Sequence, residues 1–117
     1  MAEPRSAGRV IVLGPTTPRL AYRLGGEGLL VLFDLLANGD LVPDGVVVTA
    51  GYRAIARRVG LSKDTVGRRM AALARDGLVV RVPADGDADG FSTPTYRVCL
   101  AAAGIEVFDQ PVRSVAS

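Results

Sequence analysis

The side chains in this chain that lend themselves most readily to chemistry are arginines. Between Tyr52 and Asp76 stand Arg53, Arg57, Arg58, Lys63, Arg68, Arg69 and Arg75, against Asp64 and Asp76. Seven cations against two carboxylates make a net of +5, and the overall charge of +2 leaves −3 for everything else. A basic stretch in an otherwise acidic chain suits a surface that faces a polyanion, where each cation replaces condensed counterions. The same charges also fit the solvated face of two amphipathic helices, and charge alone does not separate these readings.

Other chemistries lack their parts. The chain has no histidine, so a Ser-His or Cys-His nucleophile pair cannot be built. A lone Cys99 makes neither a disulfide nor a thiolate metal site, and it fits a reducing cytoplasm. The single lysine, Lys63, sits outside any glycine-rich phosphate loop. The chain is therefore expected to be no enzyme, with no catalytic residues, no cofactor and no metal. Asp85, Asp87, Asp89 and Gly90 mimic the start of a calcium loop, but Tyr96 stands at the twelfth position in place of a bidentate Glu. A solvated turn is the reading for that segment.

These side chains need elements to hold them. At 117 residues, 49% of them apolar, the chain can bury one core. Residues 1–8 read as a flexible tail, 9–108 as one domain, and 109–117 as a second tail. The run Val10–Leu13 is too short for a signal-peptide core, and Leu29–Phe33 falls far below the roughly 20 residues of a membrane helix. Neither export nor a membrane is expected, and the location expected is the cytoplasm, on the nucleoid when bound to DNA. Arg9–Leu13 reads as a strand, and Thr17-Pro18 opens a short helix that stops at Gly25-Gly26. Glu27–Ala37 is a helix whose polar members, Glu27, Asp34 and Asn38, share one narrow stripe with Val31 inside it. A helix so apolar must be covered on nearly all sides, by its own domain or by a partner.

Turns at Asn38-Gly39-Asp40 and Pro43-Asp44-Gly45 precede a short strand, Val46–Thr49. Thr49 can cap the next helix, which carries Tyr52, Ile55, Ala56 and Val59 on one face and ends at Gly60. Ser62 caps a further helix, Lys63–Arg75, with Val66, Met70 and Leu73 at core spacing. Leu78–Val82 and Tyr96–Leu100 read as a hairpin. Leu78, Val80 and Val82 turn inward in this reading, with Arg81 and Arg97 outward. Ile105–Phe108 is a last apolar element.

This order, a three-helix core with a short strand and a two-strand wing hairpin, is that of an α+β winged helix-turn-helix. The residues Ile55-Ala56-Arg57-Arg58-Val59-Gly60-Leu61-Ser62-Lys63-Asp64-Thr65-Val66-Gly67-Arg68-Arg69-Met70, continued through Leu73 and Gly77-Leu78-Val79, resemble the helix-turn-helix of MarR-type and GntR-type bacterial regulators. The resemblance covers roughly Glu27 to Leu100. It implies that the start of the second helix enters a major groove. Ser62, Lys63, Asp64, Thr65, Gly67, Arg68 and Arg69 are the polar or small positions there. Arg68 is placed to pair with guanine O6 and N7, and Lys63 or Thr65 to touch a base or phosphate. Gly67 would let the backbone come close. Asp64 either accepts from cytosine N4 or favours the helix's positive end, the second being the stronger reading. Arg69 departs from relatives that carry a small residue, and points to a phosphate or another subunit. Arg53, Arg57 and Arg58 fall on the first helix, where phosphate contacts are usual. Asp85, Asp87 and Asp89 would repel phosphates, so the wing tip is expected to swing clear, leaving contacts to Arg81 and Arg97 at its base.

The expected function is sequence-specific binding of double-stranded DNA, as a homodimeric bacterial transcriptional regulator with helix 63–75 in the major groove. A winged-helix module for protein docking, or an accessory factor of a plasmid, phage or mobile element, stays open. Thirteen arginines to one lysine associate with a GC-rich bacterial genome. Sensing of a small-molecule effector stays equally open, since no effector domain fits in this length.

Overall fold

The computed structural model describes residues 6–83 and 93–111. Asp85, Asp87, Asp89 and Gly90, with the wing tip they belong to, lie outside the described residues.

The first and last described strands pair with each other. β1 (Ser6–Leu13) runs antiparallel to β6 (Ile105–Pro111), so the first and last described segments form a two-stranded ribbon. β1 thus begins inside the stretch read as a tail, and β6 continues past Phe108. Strand alternation turns Ile11 and Val107 toward the core and leaves Val10 and Phe108 outward, 42% and 52% exposed. Arg9 fastens the ribbon: its Nη1 donates to Leu36 O at 2.6 Å and Gly39 O at 2.7 Å, and its Nε pairs with Asp109. A guanidinium there satisfies carbonyls that a helix end leaves bare.

Helix α1 (Thr17–Asn38) bends at Gly25, whose φ of 72° and ψ of 176° are non-helical. The expected helix stop is therefore a kink between two consecutive helices. Thr17, whose hydroxyl suits a cap at that opening, is instead the first residue of the helix: its Oγ1 accepts from Gly14 N at 2.9 Å, and Thr16 takes the cap position without a side-chain bond.

β2 (Asp40–Val42) and β3 (Gly45–Thr49) form a hairpin across Pro43-Asp44. α2 (Tyr52–Val59) and α3 (Lys63–Arg75) follow, then the wing strands β4 (Val79–Val82) and β5 (Thr95–Cys99), and a single turn α4 (Leu100–Ala103). The sheet order is β2-β3-β5-β4, all antiparallel. Thr49 caps no helix. Its hydroxyl meets that of Thr95 at 2.8 Å across the β3–β5 pair, and Gly51 precedes α2.

One parity in the wing is reversed. Val79 pairs with Val98 and both are buried, whereas Val80 pairs with Arg97 and is 43% exposed. Leu78 is the cause. Its N–H bonds Leu73 O at 2.9 Å, closing α3, so Leu78 is buried in the helix-terminating turn and the strand starts one residue later. The core sits between α1, the α2–α3 pair and the sheet, with Leu32, Leu35, Leu36, Ile55, Val66, Leu73, Val46 and Val98 fully enclosed. Among the described residues no helix is long and apolar enough to cross a membrane.

Candidate nucleic-acid interface

The helix pair is set by backbone and cap together. Gly60 takes φ 75°, ψ 27°, the left-handed conformation that a Cβ disfavours, and its N–H closes on Ala56 O at 2.9 Å. Ser62 then caps α3 as expected, its Oγ accepting from Thr65 N at 3.1 Å. Ala56, Val66 and Met70 are buried where α2 and α3 meet the core.

On the side facing α1 the cations are neutralised. Arg58 lays a two-pronged fork on Asp34, Nε to Oδ1 at 2.7 Å and Nη2 to Oδ2 at 2.8 Å. The Asp34 side chain is only 5% exposed, and the pairing raises the Arg58 pKa above its ordinary value despite some burial. Asn38 Nδ2 donates to the same carboxylate at 3.1 Å. Arg69 Nη2 meets Glu27 Oε1 at 3.3 Å, and Arg69 Nε is buried with no partner among the described residues. Arg23 of α1 pairs with Asp76 at the end of α3, at 2.6 Å. The polar stripe of α1 is therefore more than a solvent face, although Glu27 and Asn38 keep exposed surface. It is a seam that docks α1 onto the helix-turn-helix, while Leu30 and Phe33 stand nearly half exposed. Arg58 and Arg69, both candidate DNA contacts, belong to this seam.

The remaining candidates on α2 and α3 lie off this seam. Lys63, Asp64 and Arg68 are exposed on α3, and Arg53 and Arg57 on α2. None of the five makes an ion pair among the described residues. Arg68 Nη2 donates to Thr65 Oγ1 at 3.2 Å, and Ser62 Oγ donates to the same atom at 2.8 Å, so three candidate readers form one short chain.

Gly67 has a role that sequence reasoning missed. A Cβ built there would lie 3.3 Å from Cε2 and 3.4 Å from Cδ2 of Tyr52. The missing side chain lets the Tyr52 ring close against α3, at a mid-helix cost of about 1 kcal/mol relative to Ala. Tyr52 in turn neighbours Tyr96, whose pKa is pushed up to about 12, first by burial and then by the Tyr52 phenol, against a lowering from Arg81. Arg81 is cross-strand to Tyr96 and so belongs to the α3 side of the wing. Arg97 has the opposite parity and pairs with Asp44 of the β2–β3 turn at 3.7 Å. The two wing-base arginines thus lie on opposite faces of the sheet.

Residues 50–80 match a family described as winged helix-turn-helix DNA-binding. No curated protein and no solved structure matches the chain. With the helix pair, the strand β3 and the β4–β5 hairpin in place, the fold is an α+β winged helix-turn-helix.

Proposed function

We propose that this winged helix-turn-helix reads double-stranded DNA by sequence, with the outward face of α3 in a major groove. The division of cations carries the reading. Those facing α1 are neutralised by its carboxylates, whereas Lys63, Arg68, Arg53 and Arg57 face outward with no acidic partner among the described residues. Arg68 is the guanine reader, with Lys63, Thr65 and Asp64 beside it. Ser62, Arg53, Arg57 and Arg81 hold phosphates. Arg58, Arg69 and Arg97 serve the fold and not the DNA.

The chain acts as a homodimer, a bacterial transcriptional regulator of the cytoplasm. The nearly half-exposed Leu30 and Phe33 of α1 support a dimer, since a helix face so apolar favours cover. Fluorescence titration against genomic fragments at two salt concentrations tests the DNA reading, which fails if no saturable, salt-sensitive binding is found. A second reading, protein docking, draws on an open apolar trough between the ribbon and the β2–β3 hairpin, lined by Val12, Leu41, Pro43, Leu100 and Phe108. Co-purification of a protein partner, with no DNA affinity at low salt, would favour it.

A further inference from the structure

The outward face of α3 is not uniformly polar. A shallow depression there is lined by Tyr52, Lys63, Asp64, Gly67, Arg68 and Ala71. Its floor is apolar, made of the Tyr52 ring, the bare Gly67 backbone and the Ala71 methyl. Its rim is charged, with Lys63 and Arg68 at hand for a polyanion and Asp64 between them. The five α3 residues recur at helical spacing, so floor and rim belong to one face, the face assigned above to the groove.

A mostly apolar hollow flanked by Lys63 and Arg68 calls for a ligand that is anionic overall and apolar at one point. Among the base edges of a major groove, the apolar projection is the C5-methyl of a pyrimidine. We propose that the depression over Gly67 seats a pyrimidine C5-methyl, that of thymine in unmodified DNA and of 5-methylcytosine where DNA is modified. The assignment rests on the DNA reading of this face. Arg68 at the rim takes a base beside the methyl-bearing one, so the site reads two positions by different chemistry. Gly67 is a specificity-determining residue because any side chain there would fill the hollow.

Duplexes are selected from a randomised pool with the full chain. Each thymine of the selected site is then replaced in turn by deoxyuridine, and each cytosine by 5-methylcytosine. Loss of the methyl at one position should weaken binding about fourfold, the worth of one buried methyl group. In Gly67→Ala that sensitivity should vanish, while Tyr52→Phe, which keeps the ring, should retain it. A response to 5-methylcytosine alone assigns the hollow to modified DNA. Saturable binding that ignores every methyl change overturns this inference and leaves the DNA reading standing. So does a Gly67→Ala protein that keeps full sensitivity. If no duplex binds saturably, the DNA reading fails and takes this inference with it. The substitutions in the duplex need no protein variant, so a misfolded Gly67→Ala would not remove the test.

Discussion

Arg57 and Arg58 are neighbours in α2, as Arg68 and Arg69 are in α3, and the two pairs divide alike. The first of each pair faces solvent, and the second turns to α1, where Arg58 meets Asp34 and Arg69 meets Glu27. Roughly 100° of rotation per residue separates a cation that can reach a phosphate from one that serves the fold. A count of charges along the segment therefore overstates what a ligand meets. Two of its seven cations are held by α1, and its Asp76 is held by Arg23.

The largest effect should come from the inner member of the α2 pair. Arg58→Ala leaves the Asp34 carboxylate buried without its fork. The expected cost is about 3 kcal/mol, the low end for a broken buried pair because Arg58 itself is partly exposed. Arg57→Ala should stay within about 0.5 kcal/mol of wild type, as surface changes usually do. Urea unfolding measures both, and equal losses would erase the division. In α3 the outer member should dominate DNA binding. Arg68→Ala should cost about 1–3 kcal/mol on the preferred duplex and loosen base choice, with unfolding unchanged. An equal loss on every sequence would make Arg68 a phosphate contact.

The helix pair that carries this division is legible in the amino-acid sequence. Periodicity places α2 and α3, Gly60 and Ser62 mark the turn between them, and the order of elements points to the winged fold. What escapes such a reading is pairing between distant residues. The β1–β6 ribbon joins distant segments that share no local signal, and β2 is three residues of which Asp40 reads as part of a turn and Leu41-Val42 fall between two turns. The reversed parity at Val79 and Val80 follows from a bond between Leu78 and Leu73 that pattern alone does not reveal. The α1 seam does leave a trace. Asp34 interrupts a run of leucines, and a carboxylate in so apolar a helix needs a cation partner. The segment from Tyr52 to Asp76 offers seven cations and no local signal that selects Arg58.

Buried and exposed surfaces also separate the tyrosines. Tyr22 is 90% exposed, whereas Tyr96 is buried with its pKa at about 12. The unfolded chain ionises Tyr96 near its ordinary value of 10.0. Between the two values the folded protein holds the proton and the unfolded chain does not. Tyr96 should therefore leave stability unaffected below pH 10 and lower it by up to about 1.4 kcal/mol per pH unit from there to about 12. Tyr96→Phe should flatten that decline. Ultraviolet titration of the phenolates alongside urea unfolding checks it, and a Tyr96 that ionises near 10 would count against the burial.

The smallest effect is the most discriminating. Arg69 and Glu27 are 37% and 50% exposed and 3.3 Å apart, so their ion pair is worth under about 1 kcal/mol. Arg69→Gln should therefore shift unfolding only slightly. Its use lies in the salt dependence of DNA binding, where each phosphate contact adds about 0.9 to the slope of log affinity against log salt. Arg57→Ala should lower that slope by about 1. Arg69→Gln should leave it unchanged, because Glu27 already answers the charge and Arg69 Nε is buried against the protein. A slope that falls in both variants would mean that Arg69 leaves Glu27 for a phosphate when DNA binds. The α1 seam would then be a store of charge that the ligand competes for, and the arginine pairs would no longer divide alike.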